Sequence, residues 1–225
     1  MKKLIIIGAG GMGKELLYTA ENSIGYGTEF VVKGFLDDNI HSMDEYKDNY
    51  PPVLSTIHDY QPEEDDVFVC SMGNVGTKRE LCELIKAKGG KFQTLIHKDA
   101  QIRKGVVIGD GCVIDAFTVI GSESRLGDNC LVQLFSIIGH DCVIGDYARI
   151  DTHSVCVGGV ILENNVTIHT GAVVSHNVVV GHDSTVAAMS FVFRKVKPWT
   201  TVQGNPAKVL FTKDLNNAYG GEVNC

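Results

Sequence analysis

Apolar residues recur at every sixth position through the second half of the chain. From Ile102 to Val192 each sixth residue is aliphatic except Cys156, and a small or β-branched residue follows four places after each of them. An α-helix repeats every 3.6 residues and a strand every second residue, so neither element explains a period of six. Fifteen hexapeptides over residues 102–191 predict a parallel β-helix with three hexapeptides, or 18 residues, to each coil. We therefore expect about five coils, with Cys112, Cys130 and Cys142 filling the interior.

Residues 18 apart stack on one another, which sorts the outward side chains into three edges. The first edge carries His140 and Asp141, with Gly158 one coil further along. The second edge carries Asp and Asn residues such as Asp128, which are typical turn formers. The third edge, which includes Phe135, is much less polar.

Two of the faces between these edges differ in character. The apolar face, from the third edge to the first, presents no charged residue: Val119, Gly121, Ile137, Gly139, Val155, Val157, Val173, Ser175 and Phe191. The polar face, from the second edge to the third, presents Asp115, Gln133, Arg149, Asp151 and His169. An exposed apolar face of this extent indicates a partner. We predict a homotrimer, closed by heterologous contacts about the apolar face, with His140 at the rim of the interface.

The first 96 residues follow a different pattern, in which short aliphatic runs alternate with helical segments. We predict strands over residues 3–7, 30–36, 67–70 and 92–96 and helices over 12–21 and 75–88. This alternation indicates a parallel sheet with helices on its faces. The predicted fold is an α/β, half-Rossmann-like parallel sheet in residues 1–96, followed by a β-helix with a C-terminal extension in residues 97–225.

A glycine-rich loop, Gly8 to Gly13, joins the first strand to the first helix. Strand, glycine loop and helix form the context of a phosphate-binding turn, because the backbone can approach the ligand and the helix N-terminus favours an anion. Residues before 97 supply only one mononucleotide-binding half, so we favour a single nucleotide over NAD. The alternative is a tight turn that serves only to pack helix against sheet.

Composition and charge exclude several classes of protein. A net charge of −7 gives no basic patch of the kind that nucleic acid requires. The apolar opening is too short for a membrane span and has no cleavage site of signal type, so we expect a cytoplasmic protein. The seven cysteines include no CxxC pair, and the spacing of the histidines after His140 does not suit a zinc site. We therefore expect no nucleic acid, no membrane and no metal.

Four motifs together resemble one family. GAGGMG and FLDD in the first domain, HDCVIG in the repeats and GNPAK after them are similar to the bacterial sialic acid O-acetyltransferase and UDP-4-amino-sugar N-acetyltransferase family. The resemblance covers nearly the whole chain, from Lys3 to about Leu210. It implies a left-handed β-helix and acetyl transfer from acetyl-CoA to a sugar, by direct attack without an acyl-enzyme, in glycan or lipopolysaccharide synthesis.

The resemblance also implies roles for individual residues. His140 would be the general base and Asp141 its acidic partner, since an attacking sugar amine or hydroxyl must lose a proton. The Gly158 N–H would bind the acetyl oxyanion, and the pantetheine arm would pass Ala188, where typical members have glycine. Lys208 would pair with a phosphate of CoA. The implied nucleotide-sugar site comprises Gly10, Gly11, Met12, Gly13, Asp37 and Asn74.

Two positions on the polar face depart from some members of this family. Gln133 replaces an asparagine and Arg149 replaces a histidine. Both are candidate substrate-binding residues that would meet a neighbour's His140, so the acceptor sugar would differ.

Three functions remain open. The first is N-acetylation of a UDP-linked 4-amino-sugar, which the nucleotide-type loop favours. The second is O-acetylation of sialic acid or another sugar hydroxyl. The third is a non-catalytic trimeric scaffold or nucleotide sensor, in which His140 is a solvated corner residue and Asp141 a turn former.

Overall fold

The N-terminal part of the protein is a five-stranded parallel sheet with a helix on each face. A computed structural model describes residues 1–46 and 48–213. The sheet contains β1 (Lys2–Ile7), β2 (Phe30–Leu36), β3 (Val53–Ser55), β4 (Asp66–Cys70) and β5 (Lys91–Phe92), in the order β3-β2-β1-β4-β5. The helices are α1 (Gly11–Glu21) and α2 (Val75–Ala87), and a single 3₁₀ turn spans Asp44–Tyr46. The half-Rossmann-like sheet is confirmed.

Alternation along β1 explains why both faces of the sheet are covered. Leu4 and Ile6 are fully buried in a cluster with Leu16 of α1, whereas Ile5 and Ile7 are fully buried in a cluster with Ile85 of α2. A strand that buries both faces reads as a continuous aliphatic run, as β1 does.

The C-terminal part is a parallel β-helix built from two-residue strands. The apolar face contains β7 (Gln101–Ile102), β10 (Val119–Ile120), β13 (Ile137–Ile138), β16 (Val155–Cys156), β19 (Val173–Val174) and β22 (Phe191–Val192). The face between the first and second edges contains β8 (Val107–Ile108), β11 (Arg125–Leu126), β14 (Val143–Ile144), β17 (Ile161–Leu162) and β20 (Val179–Val180). The polar face contains β6 (Leu95–Ile96), β9 (Val113–Ile114), β12 (Leu131–Val132), β15 (Arg149–Ile150), β18 (Thr167–Ile168), β21 (Thr185–Val186) and β23 (Thr200–Gln203), and β24 (Lys208–Thr212) joins it antiparallel to β23.

The coil count is larger than the predicted five, since the apolar face alone stacks six strands. The predicted strand over 92–96 divides, and Ile96 belongs to β6, one hexapeptide before Ile102. At the other end Val196 pairs with Val180, 16 residues earlier instead of 18, so the corner after β22 is two residues shorter. The repeat therefore changes phase between Val192 and Val196 and continues into β23.

The interior and the corners follow from the six-residue period. The inward residues form one buried cluster, and Cys112, Cys130 and Cys142 are fully buried within it, which confirms their prediction as interior residues. The second residue of each regular corner has a positive φ, as Asp141 does at 56°. Asp, Asn and Gly tolerate this left-handed conformation best, which explains their frequency on the second edge.

The N-terminal sheet lies against the polar face of the same chain. Val113 and Leu131, which point outward from that face, are buried in the cluster that contains Leu16. The hydroxyl of Thr19 donates to Asp115, 3.1 Å away. On the adjoining second edge Tyr147 is buried and donates to Glu83 of α2 over 2.5 Å; burial and this hydrogen bond raise the pKa of the phenol.

Hence the apolar face and the face between the first and second edges stay open. Ile137, Val143 and Ile161 are exposed on them. Across residues 1–46 and 48–213, no helix has both the length and the apolar character needed to cross a bilayer.

Candidate active site

The first edge of the β-helix brings His140, Asp141 and Gly158 together. The Nδ1 atom of His140 lies 2.6 Å from Oδ2 of Asp141. The imidazole ring lies over Gly158, because a Cβ atom built there would be 2.5 Å from Nε2 and 2.6 Å from Cε1 of His140. With a proton on Nδ1 donated to the carboxylate, Nε2 is an acceptor. Both side chains are well exposed in the single chain, at 73% and 65%.

The corner geometry explains how this arrangement forms. The Gly159 N–H donates to the His140 carbonyl over 2.9 Å, which stacks one coil upon the next. Among residues 1–46 and 48–213, the N–H of Gly158 has no hydrogen-bond acceptor. The site therefore contains a base, an acidic partner and a free donor within one coil spacing, about 4.8 Å.

Two basic residues further along the same edge were not identified from the sequence. Arg194 and Lys195 are exposed in the shortened corner after β22, three coils beyond His140 and thus about 14 Å away along the axis. The first edge carries His140, Gly158 and His176 at intervals of 18 residues, and one further interval leads to Arg194. Positive charge at this distance suits the phosphates of a long co-substrate whose reactive end lies at His140.

Ala188 and Lys208 do not lie beside His140 in the single chain. Ala188 is exposed on the third edge, at the opposite side of the apolar face. Lys208 begins β24 and is exposed, in a segment that docks on the last coil through a bond from the Ala207 N–H to the Phe191 carbonyl. Their predicted contacts with CoA remain predictions.

The glycine loop separates into two structural glycines and two open ones. A Cβ on Gly13 would overlap the carbonyl of Gly8, and Gly8 has a φ of 98°. These two therefore serve the close packing of helix on sheet, as the alternative reading proposed. A Cβ on Gly10 or Gly11 meets nothing within 4 Å. Neither Gly10 nor Gly11 has a positive φ, so neither close packing nor backbone conformation explains why these two positions carry glycine.

Other predicted substrate-binding residues are engaged within the chain. Oδ2 of Asp37 accepts from the N–H of Ala9 over 2.8 Å, so this carboxylate orders the glycine loop. Asn74 is the N-cap of α2 and accepts from the Thr77 N–H over 3.0 Å, a pattern visible as Asn-x-x-Thr before a helix. Nε2 of Gln133 lies 3.9 Å from Sδ of Met12. Gln133 and Met12 thus meet where the polar face supports the loop.

Arg149 is part of a hydrogen-bonded network on the polar face. Its Nε and Nη2 atoms donate to the two oxygens of Asp151 over 2.5 and 3.1 Å, and Nη1 donates to the Gly73 carbonyl over 2.7 Å. Nδ1 of His169 lies 2.9 Å from Oδ2 of Asp151. Burial would raise the pKa of the Asp151 carboxyl, but the hydrogen bonds from His169 and Arg149 hold it below its ordinary value.

A cavity of about 370 Å³ adjoins this network, between the N-terminus of α2 and the polar face. Arg79, Arg149, His169 and Lys213 contribute positive or donor groups to its lining. This cavity and the glycine loop adjoin the polar face, whereas His140 lies on the edge opposite that face. One chain therefore keeps the glycine loop and this cavity on a different side of the β-helix from the candidate base. No cluster of three or more potential metal ligands occurs within the described part of the chain.

Comparison with known proteins gives matches over both halves. Residues 3–85 match the PglD N-terminal domain, and residues 91–179 match the GMPPB C-terminal domain. The chain is 30% identical over 119 residues to the UDP-N-acetylbacillosamine N-acetyltransferase of Bacillus subtilis, an alignment that spans 52% of each protein and thus about half the length of that curated relative.

Solved structures match over a longer range. The acetyltransferase domain of PglB from Neisseria gonorrhoeae is 30% identical with a TM-score of 0.82, over 93% of this chain and 100% of that one; a structure of it with acetyl coenzyme A is 31% identical over 93% and 99%, with a TM-score of 0.80. WeeI from Acinetobacter baumannii is 26% identical with a TM-score of 0.81, over 93% and 100% of the two chains.

Proposed function

The chain belongs to the bacterial β-helical sugar N-acetyltransferase family, and we propose that it transfers the acetyl group of acetyl-CoA to the amino group of a nucleotide-linked amino-sugar. The observation that carries this proposal is the joint placement of His140, Asp141 and Gly158 on one edge. The family resemblance adds the acyl donor, since a relative 31% identical is described in complex with acetyl coenzyme A. The product would serve the synthesis of a surface glycan or lipopolysaccharide.

His140 acts as the general base in this proposal. Its Nε2 atom accepts the proton that the sugar amine loses as the amine nitrogen attacks the thioester carbonyl carbon. Asp141 holds the proton on Nδ1 and stabilises the imidazolium that forms. The carbonyl oxygen becomes an oxyanion, which the free N–H of Gly158 stabilises. The C–S bond then breaks, the CoA thiolate leaves, and the proton on Nε2 neutralises it.

The nucleotide-sugar is proposed to bind at the glycine loop. Gly10 and Gly11 leave open space at the N-terminus of α1, where free N–H groups favour a phosphate. A UDP-linked sugar is the leading candidate, because the curated relative acts on such a compound by name. The acceptor can be tested by thiol release from acetyl-CoA with UDP-4-amino-sugars, CMP-sialic acid and free sialic acid. We expect turnover with the amino-sugars; turnover with sialic acid alone would replace N-acetylation by O-acetylation.

A homotrimer is proposed to unite the two halves of the site. The glycine loop and His140 lie on different sides of one chain, and the exposed apolar face offers a contact surface. A neighbouring chain can then present its His140 to the loop. Sedimentation should give three times the mass of one chain, and a stable monomer at micromolar concentration would contradict the proposal.

Mixing two impaired variants, assayed at a nucleotide-sugar concentration far below KM, tests the shared site directly. His140→Ala removes the base, and Gly11→Asp places a negative charge where the phosphate binds. If each site combines two chains, random reassembly of equal amounts restores about a quarter of the wild-type activity, because that fraction of interfaces has both intact halves. A site contained within one chain would recover none.

A further inference from the structure

The guanidinium of Arg149 is committed to contacts within the chain. Two of its nitrogens bind the Asp151 carboxylate, and the third binds the Gly73 carbonyl. Asp151 is 3% exposed, so this ion pair is shielded from solvent. A two-pronged bond to a buried carboxylate fixes the plane of the guanidinium. Three of its five N–H donors are therefore used within the chain, and two remain for a substrate phosphate.

The contact with Gly73 reaches the glycine loop through the loop that follows β4. The N–H of Ser71 donates to the Ile7 carbonyl over 3.0 Å, and its hydroxyl donates to the carbonyls of Ile7 and Gly8 over 2.8 and 3.1 Å. The loop after β4 and the loop after β1 are therefore one hydrogen-bonded unit. Arg149 attaches this unit to the β-helix at a point 76 residues away in the chain.

We propose that Arg149, held by Asp151 and His169, is a positioning residue. It fixes the loops after β1 and β4 on the β-helix and thereby sets the affinity for the nucleotide-sugar. This inference rests on the proposed function, since it assigns the loops to that substrate. His169 also holds Asp151 in place, because its Nδ1 lies 2.9 Å from Oδ2 of Asp151. The same oxygen accepts from Nη2 of Arg149. The role differs from direct substrate binding, in which the charge of Arg149 alone would matter.

Lysine and methionine variants distinguish the two roles. Arg149→Lys keeps the charge but cannot bind both oxygens of Asp151 and the Gly73 carbonyl together. We expect Arg149→Lys and Arg149→Met to raise KM for the nucleotide-sugar alike, by at least tenfold, or ~1.4 kcal/mol. The value of kcat and KM for acetyl-CoA should change less than twofold. A lysine variant with a wild-type KM would overturn the positioning role in favour of a simple charge effect.

Hydrogen exchange gives a readout that does not need a substrate. In Arg149→Met, amides of residues 71–76 and 8–13 should exchange at least tenfold faster, whereas those of the coils at residues 113–145 should not change. Asp151→Asn should reproduce the pattern, and His169→Gln should give a smaller effect. The matched control is Arg125→Met, because Arg125 is exposed at the equivalent outward position of another face. Unchanged exchange in the loops would overturn the inference.

The two readouts separate this inference from the proposed function. If the wild type acetylates no nucleotide-sugar while the loops loosen in Arg149→Met, the proposed function fails and the attachment of the loops stands. If the enzyme is active but KM and loop exchange in Arg149→Met both match the wild type, the attachment fails and the function stands.

Discussion

The contact between Gly158 and the ring of His140 gives the sharpest test of the catalytic geometry. A methyl group on residue 158 would lie 2.5 Å from Nε2, whereas carbon and nitrogen normally approach to about 3.5 Å, so the ring must move by roughly 1 Å. A displacement of that size at a reacting group costs about 10²-fold in rate, which corresponds to ~2.7 kcal/mol. Gly158→Ala should therefore lower kcat about 100-fold.

The fold should tolerate this substitution. Gly158 does not have a positive φ, and the equivalent corner position in other coils carries side chains: Lys104, Ser122, His140 and His176. Because the His140 ring is exposed, it can rotate away without a void in the core. We expect the free energy of unfolding to change by less than about 0.5 kcal/mol.

Single-turnover acetyl transfer with saturating substrates measures the effect. Lys104→Ala, at the same corner position three coils before Gly158, is the control and should keep full activity. The double variant Gly158→Ala/His140→Ala should be no slower than His140→Ala alone, since both changes act through one base. A Gly158→Ala enzyme with more than half the wild-type kcat would refute the reasoning.

Three further predictions concern the loop and the contacts between sheet and β-helix. Gly11→Asp should leave Tm unchanged or slightly higher, because an acid at a helix N-terminus contributes ~0.3–1 kcal/mol, yet raise KM for the nucleotide-sugar at least tenfold in steady-state assays. Gly13→Ala should instead lower the free energy of unfolding by about 1–3 kcal/mol. Equal increases in KM for the nucleotide-sugar in Gly11→Asp and Gly13→Ala would argue against a phosphate at the loop. Tyr147→Phe should cost about 1 kcal/mol in urea denaturation through the lost bond to Glu83; an unchanged midpoint would contradict this. The folded pKa of Asp151 lies below its unfolded value, so its stabilisation is present above about pH 4 and is lost as the pH falls through the folded value. The difference in Tm between wild type and Asp151→Asn should be constant from about pH 5 to 7 and shrink below pH 4, and a constant difference at all pH values would count against the ion pair.

The β-helix could be predicted because its determinants are local and repeated. Each inward residue, such as Ile138 or Ile144, marks one strand. The series of inward residues then gives the position of every edge and face. Prediction was wrong at the two ends of the repeat. Ile96 is in phase with Ile102, but the residues before it, Phe92 to Leu95, also suit a strand of the N-terminal sheet. The corner before Val196 loses two residues, so the fixed step of six ends there.

The attachment of the sheet to the polar face could not be predicted in the same way. Arg149 bonds to the backbone carbonyl of Gly73, and any residue presents such a carbonyl, so the sequence contains no sign of the partner. The polar face also includes Val113 and Leu131, outward apolar residues that are buried against the N-terminal part of the chain and whose pattern could have indicated a covered surface. The pattern of side chains thus indicates that a surface is buried, whereas a hydrogen bond to a distant backbone carbonyl can be identified only from the three-dimensional structure.

The position of the sheet also limits how the reaction can be organised. Because the N-terminal sheet occupies the polar face, the glycine loop cannot reach the His140 edge of its own β-helix without leaving Leu16 and Thr19 exposed. Separation of these contacts would uncover buried apolar surface, at about 25 cal/mol for each Å². A second chain that brings its first edge to the loop avoids this cost, since both surfaces are already formed. The fixed docking of the sheet therefore favours a site shared between chains over a hinge within one chain.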